Sequence, residues 1–266
     1  MRIETADTLT LQPAPYEPSE ALNVKLKRRL LKYRAQRRVP VKLDRPIVSF
    51  SFDDFPRSAI RCGAKALERE GWLGTFYVAT GLMGAHNHHG ENFLAEDISY
   101  LIRRGHEIGA HSHGHLDAAA NSHETIMQDI LRNEAELKKL GITAPIRQFA
   151  YPYGQRTAAL KRALGRRYQT LRGVTPGVHR GHADFNDLQS AQLFSGPKLS
   201  QTLALIESLK DSPGWLTLFT HDIVNAPSAW GCTPEEFMTC IKAVKSSGAR
   251  VLTIGAAADI VEARHG

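Results

Sequence analysis

The chain has 266 residues, 42% hydrophobic and 23% charged, which is enough to bury one large core and agrees with an α/β barrel folded as a single domain. Its net charge of +7 is unevenly placed: residues 1–43 carry ten Lys and Arg against four Asp and Glu, while residues 44–266 are nearly balanced at 24 against 23. No apolar run approaches the roughly eighteen residues that cross a bilayer, and Met1 to Glu20 has no apolar core of a secretory signal. Cys62, Cys232 and Cys240 are an odd set with no C-x-x-C spacing, so a cytoplasmic location with reduced thiols is expected.

In chain order, residues 1–43 read as a basic extension and residues 44–266 as a catalytic domain. Leu22, Leu26, Leu30 and Tyr33 recur at helical spacing among the bases, predicting an amphipathic helix within residues 22–42. Packing of its stripe on the outside or floor of the domain is the first reading. Attachment to an anionic membrane surface is the second, and nucleic-acid binding is not expected because interleaved aromatic residues are nearly absent.

From Pro46 onward, strand and helix patterns alternate. Strands are predicted at Ile47–Phe52, Thr75–Val78, Glu107–Ala110, Gln148–Tyr151, Tyr168–Leu171, near Leu193, at Trp215–Thr220 and at Arg250–Thr253. Helices are predicted at Ser58–Glu70, Asp97–Arg104, His123–Leu140, Thr157–Leu164, Gln201–Lys210, from Thr233 to about Ser247, and from about Ala256. Thr233-Pro234-Glu235-Glu236 supplies a capping residue, a first-turn proline and a third-position glutamate. Gly173 to Lys198 reads as mostly loop, and His86-Asn87-His88-His89 as a solvated or substrate-facing loop. Repeated β-then-α units argue for a parallel sheet, closed or nearly closed as a barrel.

Two short stretches carry metal-type ligands at strand ends. Asp53 and Asp54 close the run Ile47-Val48-Ser49-Phe50-Ser51-Phe52, and His111-Ser112-His113-Gly114-His115 follows Glu107-Ile108-Gly109-Ala110. Imidazole nitrogens with a carboxylate suit zinc and similar ions while leaving positions open. A second carboxylate outside the ligand set can act as a base toward water. The pattern is that of a hydrolase. Among the three histidines, a helical turn would align His111 with His115, whereas an extended segment would align alternate residues.

Ser-Phe-Asp-Asp, His-Ser-x-x-His, Phe149-Ala150-Tyr151-Pro152-Tyr153-Gly154 and Leu216-Thr217-Leu218-Phe219-Thr220-His221, in this order, resemble the NodB-type polysaccharide deacetylases over roughly residues 45 to 255. The resemblance implies a distorted (β/α) barrel of about seven parallel strands. It implies a divalent metal, Zn2+ or else Co2+, Ni2+ or Mn2+, on Asp54, His111 and His115, with Asp53 as catalytic base. His113 would point away, and Ser112 would hydrogen-bond locally. The backbone N–H of Tyr153 would face the substrate carbonyl, Leu218 would pack near the acetyl methyl, and His221 would protonate the departing amine. Many relatives carry an arginine at the position of Ala150, paired with the catalytic aspartate. Arg172 is the substitute this sequence offers, and Asp184 or Asp187 is the expected partner of His221.

The implied reaction removes N-acetyl groups from an N-acetylglucosamine-containing oligo- or polysaccharide, releasing acetate. A lipid-linked exopolysaccharide, adhesin or Nod-factor-like precursor would suit a cytoplasmic enzyme with a basic, membrane-facing extension. The alternatives are a cyclic-amide hydrolase of the same superfamily and an inactive sugar-binding protein.

Overall fold

The computed structural model describes Leu31 and residues 33–263. Leu22, Leu26 and Leu30, which define the predicted N-terminal stripe, lie outside the described residues. Twelve strands are present among those described: β1 (Arg38–Val41), β2 (Ile47–Asp53), β3 (Thr75–Val78), β4 (His86–Asn87), β5 (Gly90–Glu91), β6 (Glu107–Ala110), β7 (Gln148–Ala150), β8 (Thr170–Arg172), β9 (Gly181–Asp184), β10 (Ala191–Gln192), β11 (Trp215–Thr220) and β12 (Arg250–Val251). The helices are α1 (Lys65–Arg69), entered through a wide turn at Ala59–Ala64, α2 (Ala95–Arg104), α3 (His123–Lys139), α4 (Ala158–Leu164), α5 (Pro197–Glu207), α6 (Pro234–Ser246) and α7 (Ile254–Ala263).

Eight strands form one parallel sheet, seven of them in the order β10-β11-β2-β3-β6-β7-β8 and the eighth, β12, off that path against β2. Two strands share one side of β2: β12 pairs with Ile47 and Val48 at its start, and β3 pairs from Ser51 to Asp53 at its end. The sheet curls until Arg172 meets Leu188 in a single parallel bridge, just before β10. This is the distorted parallel barrel that the repeated β-then-α pattern predicts.

Side-chain alternation sorts the strands into an outer and an inner layer. Val48, Phe50 and Phe52 of β2, Phe76 and Val78 of β3, and Leu216 and Leu218 of β11 belong to the outer cluster, with Phe237 and Ile241 of α6. Ile47, Tyr77, Ala150 and Trp215 form the interior cluster, where Ile254, Ala257 and Ala258 of α7 join them. The antiparallel pair β1 and β9 brings Val41 and Ala183 to the same cluster. Neither strand is predicted from the sequence, because four-residue segments with one or two apolar positions carry little periodic signal. The hairpin β4–β5 likewise lies where the sequence predicts a loop.

Candidate active site

The four motifs meet at the C-terminal end of the parallel strands, where barrels of this type collect their reactive groups. Asp53 is the last residue of β2 and sits in the inward register of Ile47, Ser49 and Ser51. Asp54 follows with φ 53°, so the chain turns there and both carboxylates line one cavity. Ser112, His115 and Tyr153 also have positive φ, at 59°, 50° and 55°. Left-handed backbone is costly for residues with a Cβ, and such positions cluster where a site demands a particular side-chain direction.

Asp54, His111 and His115 converge. The Nε2 atoms of His111 and His115 are 3.2 Å apart, and the Asp54 Oδ1 lies 3.7 Å from the first and 3.6 Å from the second. Ligands about 2.1 Å from a tetrahedral ion stand roughly 3.4 Å from one another, so this triangle fits a divalent metal. The His111 Nδ1 lies 2.8 Å from the Ala150 carbonyl, a contact that requires Nδ1–H and leaves Nε2 as the free donor. The Asp54 Oδ1 is buried without a hydrogen-bond partner. Burial pushes the Asp54 carboxyl up to about 7, with His89 opposing and the Asp53 carboxylate adding to it. Burial likewise holds His111 well below its usual range and His115 down at about 4. A carboxylate short of positive charge among neutral imidazoles is a donor set that a divalent cation completes.

The loop bearing the histidines is anchored from α3. Asp129 accepts from the backbone N–H of His113 at 2.8 Å and of Gly114 at 3.0 Å. His113 points away from the cavity, its Nδ1 lying 2.8 Å from the Thr80 Oγ1 and 3.2 Å from the Glu136 Oε2. The Ser112 Oγ, expected to hydrogen-bond locally, is instead buried without a partner.

Arg172 reaches Asp53. Its Nη2 pairs with the Asp53 Oδ2, and its guanidinium lies over the Phe219 ring at 4.6 Å and the Tyr77 ring at 5.2 Å. Arg172 is the register partner of Ala150 on the next strand. The guanidinium that the resemblance leads one to expect on β7 thus stands on the neighbouring strand β8.

His221 lines the cavity, and its Nδ1 lies 3.1 Å from the Trp230 carbonyl. Burial, with His89 adding to it and Asp53 opposing, lowers it to about 3. Neither expected aspartate holds it. Asp187 is paired with Arg156 at 2.7 Å, and Asp184 with Lys161 at 3.1 Å, both drawn off by buried cations that the loop-like sequence did not associate with them. Leu218 is also corrected: it packs in the outer core, whereas Phe219, two residues before His221 and on its face of β11, lines the cavity. Tyr153 is on the cavity wall, its ring 4.3 Å from that of His115.

His89 is the residue that sequence reasoning missed. His86 to His89 line the cavity, as a substrate-facing loop would, but His89 is buried rather than solvated, its ring stacked on His221 at 4.6 Å with an 11° angle between planes. Its Nδ1 lies 3.1 Å from the Asp222 Oδ1 and 3.0 Å from the Ser228 Oγ. No motif spacing links His89 to Asp222 across 133 positions. The cavity encloses about 910 Å3, with Phe194, Phe219 and Trp230 giving it apolar walls.

Fold and site together define a parallel β/α barrel with a candidate divalent-metal centre at its C-terminal rim. Residues 41–169 match the polysaccharide deacetylase family, which bears out the resemblance carried by the motifs within that segment. A chitin deacetylase from the fungal pathogen Colletotrichum lindemuthianum is similar in fold, at 17% identity and a TM-score of 0.58, covering 81% of this chain and 89% of that one. A peptidoglycan N-acetylglucosamine deacetylase, solved with a naphthalenyl N-hydroxybenzamide compound, matches at 18% identity and a TM-score of 0.58, covering 85% and 93%. A family pseudoenzyme from Bacillus anthracis matches at 15% identity and a TM-score of 0.56, covering 82% and 67%. No curated protein matches the chain in sequence.

Proposed function

We propose that the protein is a metal-dependent deacetylase that removes N-acetyl groups from an N-acetylglucosamine-containing oligo- or polysaccharide. The observation that carries this reading is the triangle of Asp54, His111 and His115, closed to between 3.2 and 3.7 Å beside a second carboxylate bound by a buried arginine. Likeness to an active enzyme and to a pseudoenzyme is equally a likeness of fold, so these side chains carry the argument.

Asp54, His111 and His115 would hold the ion, which when bound polarises an acetamide carbonyl and lowers the pKa of water. Asp53, outside that triangle, takes the proton from the attacking water. Arg172 pairs with the Asp53 carboxylate and fixes its direction. Tyr153 would offer its backbone N–H to the carbonyl oxygen as negative charge builds there. Phe219, rather than Leu218, provides the apolar wall for the acetyl methyl. His221 is neutral in the free site, so it can give a proton to the amine only after receiving one. The proton taken by Asp53 is the available source, and the cycle then balances: water adds its oxygen to the acetyl carbon and its proton to the leaving nitrogen.

Two substitutions separate the roles. Asp53→Asn should keep the bound metal and lose most activity, whereas His111→Ala should lose the metal as well. Equal metal loss in both variants, measured by elemental analysis after dialysis, would contradict this division.

A further inference from the structure

We propose that the cavity contains a second, weaker divalent-cation site formed by Asp54, His89 and His221, with Asp54 shared between the two sites. The ligand atoms of this trio lie within 4.8 Å of one another, as do those of the first. Sharing a carboxylate would set two ions about 3.5–4 Å apart, the spacing of bridged two-metal centres.

Hydrogen bonding leaves one nitrogen on each ring for this purpose. The Nδ1 of His89 faces the Asp222 carboxylate and that of His221 faces the Trp230 carbonyl. Both contacts call for Nδ1–H, so Nε2 is the donor that remains on each ring. Asp222 is itself held in place, accepting from the Ser228 N–H at 2.7 Å and the Ser228 O–H at 2.6 Å. A fixed carboxylate behind a histidine is the arrangement that orients metal ligands. Stacking of the two rings removes further freedom from both. A histidine serving only to tie the β4–β5 hairpin to the loop after β11 would need its Nδ1 alone, and would not need to stand in a ligand group with Asp54 and His221.

Occupation of this site has a consequence for the proposed reaction, on whose use of His221 it rests. The ion would take the Nε2 that proton delivery needs, so the second equivalent of metal inhibits where the first activates. Turnover should then rise and fall as zinc is added.

The test is equilibrium dialysis of the full chain against Zn2+, with bound metal counted per chain for wild type, His89→Gln and Asp222→Asn. Wild type should saturate at two ions. His89→Gln should saturate at one, and Asp222→Asn, which leaves the imidazole in place, should weaken the second ion by about 10- to 100-fold. Saturation of wild type at one ion, or two ions retained by His89→Gln, overturns the second site and leaves the deacetylase reading intact. Wild type that binds no ion overturns both.

Discussion

Ala150 and Arg172 stand opposite each other on adjacent strands, so an arginine at 172 reaches Asp53 from beside the position where the resemblance leads one to expect it. Arg172 is fully buried, and its charge is received by Asp53, the Gly173 carbonyl and two aromatic faces. Arg172→Met keeps much of the side-chain volume and removes the charge. Turnover should fall by roughly 10²-fold or more, the scale of a positioned base, with metal content unchanged. Loss of metal in step with activity would show instead that Arg172 only maintains the fold. The sequence offered Arg172 because it closes a predicted strand end. It could not offer Phe219 over Leu218, because only the register of β11 decides which alternate residues face inward. The pairings of Asp184 and Asp187 depended on Lys161 and Arg156, whose approach from the α4 region no local pattern records.

Among the elements, β2 does most to place the site. All seven of its residues are buried, with alternate side chains committed to the outer helices and to the barrel interior. The turn approaching α1 can lie close to this strand because position 63 is glycine: a Cβ there would stand 2.6 Å from the Phe52 ring and 2.9 Å from Ile223. Gly63→Ala should cost about 1–3 kcal/mol through overpacking, read from the denaturation midpoint. An unchanged midpoint would mean that the helix moves freely away from β2. The histidine loop depends in the same way on α3. Asp129→Ala removes the acceptor for two loop amides and should weaken the first metal ion by about 10- to 100-fold, measured by competition with a chelator. Undiminished affinity would show that the loop holds its shape without this anchor. The parallel strands and their helices were legible because apolar runs and caps repeat along the chain. The pair β1–β9 and the hairpin β4–β5 were not, since their short polar segments are strands only through their partners.

Over the whole molecule, buried neutral histidines set the response to acid. His179, against Trp215 and remote from the metal triangle, is lowered by burial to about 4. Its folded-state pKa lies below the unfolded value, so between pH 6.5 and about 4 the unfolded chain binds the extra proton. Stability is therefore nearly unaffected by this group above 6.5 and declines as the pH falls toward 4, by roughly 3 kcal/mol in all and about 2 kcal/mol by pH 5. Urea midpoints of metal-free protein at pH 7 and pH 5 should differ accordingly, and the difference should shrink in His179→Gln. The basic extension is a separate question. Deleting residues 1–30 spares Arg37, which bonds to Gly165, and all of β1. If the extension serves a membrane-side substrate, the truncated protein should lose binding to anionic liposomes; undiminished binding would remove that role. The central claim is tested most directly by acetate release from N-acetylglucosamine oligomers, with chelator, with restored zinc, and with Asp53→Asn as control. The account predicts release that the chelator stops, zinc restores and the variant lacks. Zinc-loaded wild type that releases no acetate, or Asp53→Asn that releases it at the wild-type rate, would contradict it.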